Sequence, residues 1–316
     1  YYNQGSLNNK GVEFSLNAQV IDSSSWKWSV SGNIGVNRNE ISDLGLLPAD
    51  FGCLGERVGY YGNSLGDHFG VGHIFLAGEA PGLFYGYVTQ GIVQKEDITE
   101  NGIKYIKQDG SVGYYQTVNK TTPVAGDVKY VDRNGDGVVD DNDRDIIGNP
   151  NPDFTYGFQT KVSWKSLSLS ASFNGVQGRD ILNVGNRYNN TPGTKSNNVT
   201  RKAFQNMWTD ENPSNLYPKS TFVVQNMVMD RYVEDGSYLR CSDITLSYIL
   251  PAKWTNKIGI KNTSVYASVK NAFVITDYSG YDPEVNSFAF DGLRPGVDMN
   301  SYPTPRSFVF GLNLTF

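Results

Sequence analysis

The sequence predicts an all-β fold, and three observations support it. Apolar and polar residues alternate in several separate runs, and a period of two residues is typical of strands. The 316 residues include 20 Tyr and 34 Gly, a composition that suits strands with long loops and aromatic girdles. Helical patterning is scarce, because only segment 198–213, closed by Pro213, predicts a helix.

The strands follow from this alternation in order along the chain. In the first of them, Val12, Phe14 and Leu16 alternate with Glu13 and Ser15. Every later run shows the same period. The predicted strands are 12–20, 26–37, 154–164, 167–175, 238–250, 264–274 and 307–316.

The two faces of these strands favour one all-β architecture over another. The apolar faces of the clearest strands carry no Lys, Arg, Asp or Glu, and the polar faces are mostly Ser, Asn, Thr, Gln and Gly. A basic residue that faces the middle of a bilayer costs about 2–4 kcal/mol. The pattern therefore favours a large antiparallel transmembrane β-barrel. A secreted, calcium-stabilised β-sandwich that binds glycans would also alternate, and it stays open as the alternative.

Connection lengths predict which side of the membrane each segment occupies. Short turns of outer-membrane barrels lie in the periplasm and long loops outside the cell. The predicted short turns are 21–25, 165–166 and 251–263, and the predicted extracellular segments are 39–153, 176–237 and 275–306. Segment 39–153 is too long for a bare loop. It must carry structure of its own or contain an even number of further strands.

The stretch DRNGDGVVDDND, residues 132–143, has the spacing of a calcium-binding loop. Such a loop places oxygen ligands at alternating positions and a glycine, here Gly137, at the sixth. Asp143 stands at the twelfth position, where the pattern has Glu, and its shorter side chain reaches an ion less easily. The predicted metal ligands are Asp132, Asn134, Asp136, the carbonyl of Val138, Asp140 and Asp143.

A cluster of Asx turns is the alternative interpretation of this stretch, since Asn, Asp and Gly dominate turns in general. The flanks are a strand-like GDVKYV and a proline-containing IIGNPNPDF, so no helix pair surrounds the loop. We therefore expect calcium to stabilise an exposed loop and not to act as a switch.

Composition and motifs exclude several functions. The net charge is −5, from 27 basic and 32 acidic residues, so no basic surface for nucleic acid is indicated. Cys53 and Cys241 have no zinc spacing, and whether they form a disulfide stays undecided. His68 and His73 offer no defensible catalytic set, so we predict no catalytic residues and no enzyme. No apolar run approaches the ~18 residues of a membrane helix, and the first residues do not predict a signal peptide.

Two tyrosine pairs are candidates for ligand contact. Tyr60–Tyr61 and Tyr114–Tyr115 lie in the predicted external segments, and sugar rings stack well on aromatic faces. Packing between loops is the slightly favoured alternative.

The sequence also resembles a known family, the SusC-like TonB-dependent outer-membrane transporters of Bacteroidetes, in their C-terminal part. The most specific matching stretch is GDVKYVDRNGDGVVDDNDRDIIGNPNPDFTYGF (126–158). The others are GSLNNKGVEFSL (5–16), GLFYGYVTQGIVQ (82–94), EDGSYLRCSDITLSYILP (234–251), YSGYDPEVNS (278–287) and YPTPRSFVFGLNLTF (302–316). Phe316, as the last residue of an alternating strand, is similar to the terminal signal of outer-membrane barrels.

The resemblance implies a barrel closed by a plug domain and located in the bacterial outer membrane. It implies import of oligosaccharides or peptides, with a SusD-like lipoprotein as an external lid and TonB as the source of energy. It further implies that residues 1–316 are the C-terminal barrel portion of a longer chain, with the plug domain and the N-terminal half of the barrel elsewhere.

Overall fold

The structure is a computed structural model. It describes residues 5–62, 64–65, 69–191, 198–220, 227–255, 260 and 262–315. Seven long strands form one antiparallel sheet in the order of the chain. They are β1 (Ser6–Asp22), β2 (Trp26–Asp43), β3 (Phe154–Trp164), β4 (Leu167–Gln177), β5 (Tyr238–Ile249), β6 (Asn262–Thr276) and β7 (Ser307–Thr315).

All of the predicted strands are present in this sheet, several of them longer than predicted. The strands β1 and β2 meet at the turn 23–25, and β3 and β4 meet at Lys165 and Ser166. Lys165 has a φ of 51°, the left-handed conformation that a two-residue hairpin requires. A short helix, Ala252–Thr255, follows β5. The predicted short turns are thus all at one end of the sheet.

The segments between the long strands fold together at the other end of the sheet. We call residues 44–153, 178–237 and 277–306, as far as the structure describes them, the loop body. Its short strands are Ala49–Asp50, Glu56–Arg57, Gly59–Gly62, His73–Leu76, Leu83–Gly86, Thr89–Ile92, Ile98–Thr99, Gly102–Ile106, Val112–Tyr115, Thr117–Val118, Val128–Tyr130, Val138–Val139, Asp145–Gly148, Asp180–Asn183, Val233–Asp235 and Val297–Asp298.

The hydrophobic core of the protein lies in the loop body and not in the sheet. Its main cluster includes Phe84, Tyr115 and Val139, each fully buried, and it draws on all three segments. A second cluster around Ile74 and Leu76 lies beside it. Segment 39–153 therefore carries structure of its own, and it adds no strand to the seven-stranded sheet.

The predicted helix over 198–213 was wrong in its extent. The helix α2 spans only Arg201–Asn206 and is capped by Thr200, whose hydroxyl accepts from the Ala203 N–H. It ends because the Trp208 N–H donates to the carbonyl of Tyr217, so tertiary pairing replaces the next helical turn. The sequence pattern also missed a helix before it, α1, at Val184–Asn190. No helix in the described ranges is long and apolar enough to cross a membrane.

Candidate functional site

One face of the seven-stranded sheet is a continuous apolar band. Side chains on this face are exposed although they are large, for example Val12 at 75% and Phe310 at 78%. The strand register places them side by side across neighbouring strands. One row of the band consists of Trp28, Val162, Leu169, Leu246, Ala267 and Phe310.

The limits of the band match those of a hydrocarbon layer. In the described part of the strands no Lys, Arg, Asp or Glu lies on this face between the Lys10–Arg38 pair and the short turns. At the turn end the rings of Trp26 and Trp164 approach to 5.9 Å. Aromatic residues of this kind concentrate at membrane–water interfaces. An apolar band of this extent on an aqueous surface would far exceed ordinary exposed patches.

The opposite face of the sheet is polar. Asp243 and Lys270 form an ion pair of 2.7 Å across β5 and β6, and Ser268 donates to the same carboxylate. A groove of about 670 Å³ runs along this face. Most of its lining is small and hydroxylated or amidic; it includes Asn17, Gln19, Ser29, Ser31, Gln159, Ser168, Ser170, Thr245 and Ser247. Such a surface suits the wet interior of a barrel.

The calcium-type loop is closed by hydrogen bonds from its own backbone. The Asp132 carboxylate accepts from the N–H groups of Gly135 at 2.6 Å and Gly137 at 2.8 Å. The Asn134 oxygen accepts from the Asp136 N–H at 2.9 Å, and Asp136 accepts in turn from Val138 at 2.8 Å. These are consecutive Asx turns, which stabilise a sharp loop without any other group.

Asp143 closes the loop from the other side. Its two oxygens accept from the N–H groups of Arg133 at 2.8 Å, Asn134 at 3.2 Å and Asp140 at 2.8 Å. Burial raises the pKa of its carboxyl group, and the neighbouring Asp132 carboxylate contributes in the same direction. Asp140 caps the short turn that contains Asp143, through the N–H of Asn142.

The predicted ligands therefore all belong to one loop, but their carboxylates accept hydrogen bonds from backbone amides of that loop. Throughout the described ranges no three acidic, histidine or cysteine side chains converge closely enough to hold a metal. Calcium binding by Asp132, Asn134, Asp136, Val138, Asp140 and Asp143 stays a prediction.

The same loop joins several parts of the loop body. The hydroxyl of Tyr105 donates to the carbonyl of Asp132 at 2.7 Å, and burial raises the pKa of Tyr105 to about 12, so it remains a donor at neutral pH. Tyr87 donates to Asp141 at 2.9 Å. A Cβ on Gly52 would lie 2.3 Å from the carbonyl oxygen of Asn142. The loop thus connects several parts of the loop body, and its contact with residue 52 leaves room only for glycine there.

The tyrosine pairs do not form joint stacking surfaces, because neighbouring residues of a strand point to opposite faces. Tyr60 stacks on Phe75 at 5.1 Å, whereas Tyr61 packs against Phe51 and Tyr85. Tyr115 is fully buried and Tyr114 is 38% exposed. In the second pair, packing inside the loop body therefore accounts for Tyr115.

The cysteines and histidines have structural surroundings. Cys53 and Cys241 are both free thiols, which settles the disulfide question left by the sequence. His73 is buried and contacts Ser64 through Nδ1 and the Pro295 carbonyl through Nε2, each at 3.0 Å. His68 lies outside the described residues, and so does Phe316.

One buried ionic cluster was not predicted. Arg240, at the loop-body end of β5, is 5% exposed and pairs with Asp282 at 2.5 Å and Glu284 at 3.4 Å. Tyr238 donates to Glu284 at 2.7 Å. The cluster fixes segment 277–306 to the sheet. The stretch YDPEV at 281–285 belongs to the family resemblance, but no single-sequence pattern pairs its Asp282 with an arginine 42 residues away.

Comparison with known proteins identifies relatives of the whole chain, although no family model matches it. The TonB-dependent receptor P26 of Formosa agariphila is 31% identical over 99% of this chain and 30% of its own length. The TonB-dependent receptor SusC of Bacteroides thetaiotaomicron is 32% identical over 99% of this chain and 27% of its own length. The chain therefore spans less than a third of the curated relatives that it matches.

Solved structures give the same result at the level of the fold. A structure of the RagAB peptide transporter matches with a TM-score of 0.68 and 25% identity, over 99% of this chain and 30% of that one. The RagAB peptide importer in its closed-closed state matches with the same TM-score. These findings confirm the predicted fold class, the C-terminal portion of a large antiparallel transmembrane β-barrel. They also confirm its location in the bacterial outer membrane.

Proposed function

We propose that this chain, which corresponds to the C-terminal barrel portion of SusC-like TonB-dependent receptors, forms part of a TonB-dependent nutrient importer. The observation that carries the proposal is the two-sided sheet, with an uncharged apolar band on one face and a polar groove on the other. Together with relatives over its whole length, this supports a barrel wall that faces lipid outside and a wet passage inside.

In this proposal the loop body lies outside the cell and serves capture. The described residues of the loop body form one packed unit, so they present a fixed surface to a ligand. We further propose that the partners are a SusD-like lipoprotein lid and TonB, and that the cargo is an oligosaccharide or a peptide. The similar RagAB structures are those of a peptide importer, which supports peptides as one of these two classes of cargo.

We infer that the chain performs no covalent chemistry. Its relatives are receptors and transporters, and the described histidine is enclosed by Ser64 and Pro295. The alternative of a secreted β-sandwich has no support in the fold. A sandwich buries its apolar face against a second sheet, whereas the apolar band of this sheet is exposed in the described structure.

Uptake by living cells tests the importer. Cells with the full-length gene and cells with the gene deleted would be supplied with a panel of oligosaccharides and peptides, with and without a protonophore. We expect the intact cells to deplete at least one compound, and the protonophore and the deletion each to abolish that depletion. Equal depletion of every compound by both strains would contradict the proposal.

A further inference from the structure

A small pocket in the loop body has a cationic lining. It encloses about 250 Å³ and lies where α1, α2 and the segment around Arg231 meet. Asn186 and Asn190 line it from α1, and Lys202 lines it from α2. The rest of the lining that carries polar groups consists of Thr191, Tyr217, Arg231 and Tyr232. The pocket is separate from the groove on the polar face of the sheet.

The two cations of this pocket have no ion-pair partner among the residues that the structure describes. Lys202 is exposed and Arg231 is half-buried. Arg231 gives one N–H group to the carbonyl of Leu216, which leaves other donors of its guanidinium group. In contrast, Lys129, Arg133 and Arg144 of the loop body all pair with carboxylates. Other exposed cations of the loop body, such as Lys107, also lack an ion pair within the described ranges, but Lys202 and Arg231 both line this one pocket.

The carboxylate of Glu234 contacts the lining residue Asn186 and already accepts from several other donors. Glu234 accepts from the side chains of Asn183 at 2.9 Å, Asn186 at 3.0 Å and Ser279 at 2.9 Å. Its other oxygen accepts from the Ser279 N–H at 2.8 Å. Glu234 thus has four donors of its own, and it forms no ion pair with Lys202 or Arg231.

Two like charges that line one small pocket repel each other, and an anion placed between them removes that repulsion. A carboxylate fits the donors on hand, since a guanidinium group binds it in a planar, two-bonded geometry. The ammonium group of Lys202 supplies a second charge. The Asn190 amide donates to Asn186 and accepts from Thr200, which leaves one of its N–H groups for a ligand. Tyr217 and Pro218 provide an apolar wall for the atoms next to the carboxylate.

We propose that this pocket binds the carboxylate group of the imported ligand. The inference rests on the proposed function, and it narrows the cargo to compounds that carry a carboxylate group. Two sources have this chemistry, the free carboxyl terminus of a peptide and the uronic acid of an acidic oligosaccharide.

The test measures binding to the full-length protein, purified in detergent, by calorimetry. The probes are an alanine tetrapeptide with a free carboxyl terminus and its amidated form, and a galacturonic acid trimer and a neutral galactose trimer. We expect one acidic probe to bind at least about tenfold more tightly than its neutral counterpart, and which one it is identifies the source. Equal affinities within both pairs would overturn the proposal.

Substitutions localise the effect to the pocket. Lys202→Gln and Arg231→Gln should each weaken the binding of the acidic probe by about tenfold. Lys107→Gln, at an exposed lysine of the same loop body, is the matched control and should leave the affinity unchanged. Because Arg231 also holds the Leu216 carbonyl, Arg231→Lys keeps the charge and tests for loss of folding. Unchanged affinity in both Lys202→Gln and Arg231→Gln would place the binding elsewhere and overturn the assignment.

The same cells separate this inference from the proposed function. Energised uptake with no preference for acidic probes would overturn the pocket and leave the importer intact. Absence of energised uptake of any compound would overturn the importer, whatever the purified protein binds.

Discussion

Phe84 and Phe310 are the same residue type in opposite situations. Phe84, in the loop body, is fully buried, whereas Phe310, in β7, is 78% exposed. The loop body follows the rule for proteins in water and encloses its large apolar side chains. The sheet reverses that rule on its apolar band, because hydrocarbon is the solvent on that side.

Polar groups show the same reversal. In the sheet they point to the inner face, where Asp243 pairs with Lys270. Where β5 meets the loop body, the buried Arg240 pairs with Asp282, and within the loop body the buried carboxylates of Asp132 and Asp143 accept from backbone amides. The comparison teaches that one chain is built for two solvents. An exposed large apolar side chain therefore has a different meaning in the sheet than in the loop body. The predictions below test that difference, from the largest effect to the smallest.

Truncation of a phenylalanine should cost more in the loop body than in the sheet. Phe84→Ala removes a packed ring and leaves a cavity, which costs about 3–5 kcal/mol. Phe310→Ala loses only the transfer term of about 1.5–3 kcal/mol, because lipid fills the vacated space. Urea unfolding of the full-length protein in lipid vesicles measures both. A larger loss for Phe310→Ala would mean that its ring is packed against protein.

A lysine substituted into β5 should destabilise the protein more on the apolar face of the strand than on its polar face. Leu246 belongs to the apolar band, and Ser247 lines the polar groove. Leu246→Lys should destabilise the folded protein by about 2–4 kcal/mol, since it exposes an ammonium group to hydrocarbon. Ser247→Lys is the matched control and should cost well under that amount. The gel mobility of the unheated outer-membrane fraction measures the folded share, and equal losses would argue against a membrane-facing band.

Loss of the Asp132 carboxylate should loosen the loop body without affecting the sheet. It accepts from the amides of Gly135 and Gly137, and hydrogen bonds to a charged group contribute about 1.5–3 kcal/mol. Asp132→Ala should therefore speed proteolysis of the loop body. Asp109→Ala, at an exposed turn, is the control. Unchanged proteolysis of Asp132→Ala would show that the Asx turns do not hold the loop.

The calcium prediction is tested on the same protein. Calorimetry of the wild type should show one bound calcium ion, and the double variant with Asp132→Asn and Asp136→Ala should show none. Because the carboxylates already hold backbone amides, we expect weak binding. An equal number of bound calcium ions in the two proteins would show that Asp132 and Asp136 do not form a calcium site.

The smallest expected effect is a pH dependence from His73. Burial lowers its pKa, so the folded state favours the neutral ring. Its stabilising contribution is then present above the unfolded pKa of about 6.5 and is lost as the pH falls below it. The loop body should melt at a lower temperature at about pH 5.5 than at about pH 7.5. The difference should shrink in His73→Gln, and an equal difference in both proteins would assign it to other groups.

Much of the sheet could be predicted from sequence because strand alternation is local. Every predicted strand is present, and the short turn at Lys165 and Ser166 is where the pattern predicts it. The clean apolar face of residues such as Val12 and Leu169 also indicated the membrane correctly. These features depend on neighbours in the chain and on one solvent boundary.

The loop body resisted prediction because its contacts are distant in sequence. The pairing of Arg240 with Asp282 joins β5 to segment 277–306, and the pocket of Lys202 and Arg231 forms where α1, α2 and the residues around Arg231 meet. The predicted helix at 198–213 was cut short by the contact between Trp208 and Tyr217. The loop 132–143 was predicted as a calcium site, and the structure adds the backbone amides that its carboxylates hold.

The most direct test of the two-solvent account is the accessibility of spin labels along β4. Labels would be placed singly at Leu167, Ser168, Leu169, Ser170 and Ala171 of the full-length protein in vesicles, after replacement of Cys53 and Cys241 by serine. We predict that collisions with oxygen, which concentrates in hydrocarbon, peak at residues 167, 169 and 171 and fall at the two serines. A uniform profile, or peaks at the serines, would contradict a sheet whose apolar band faces lipid.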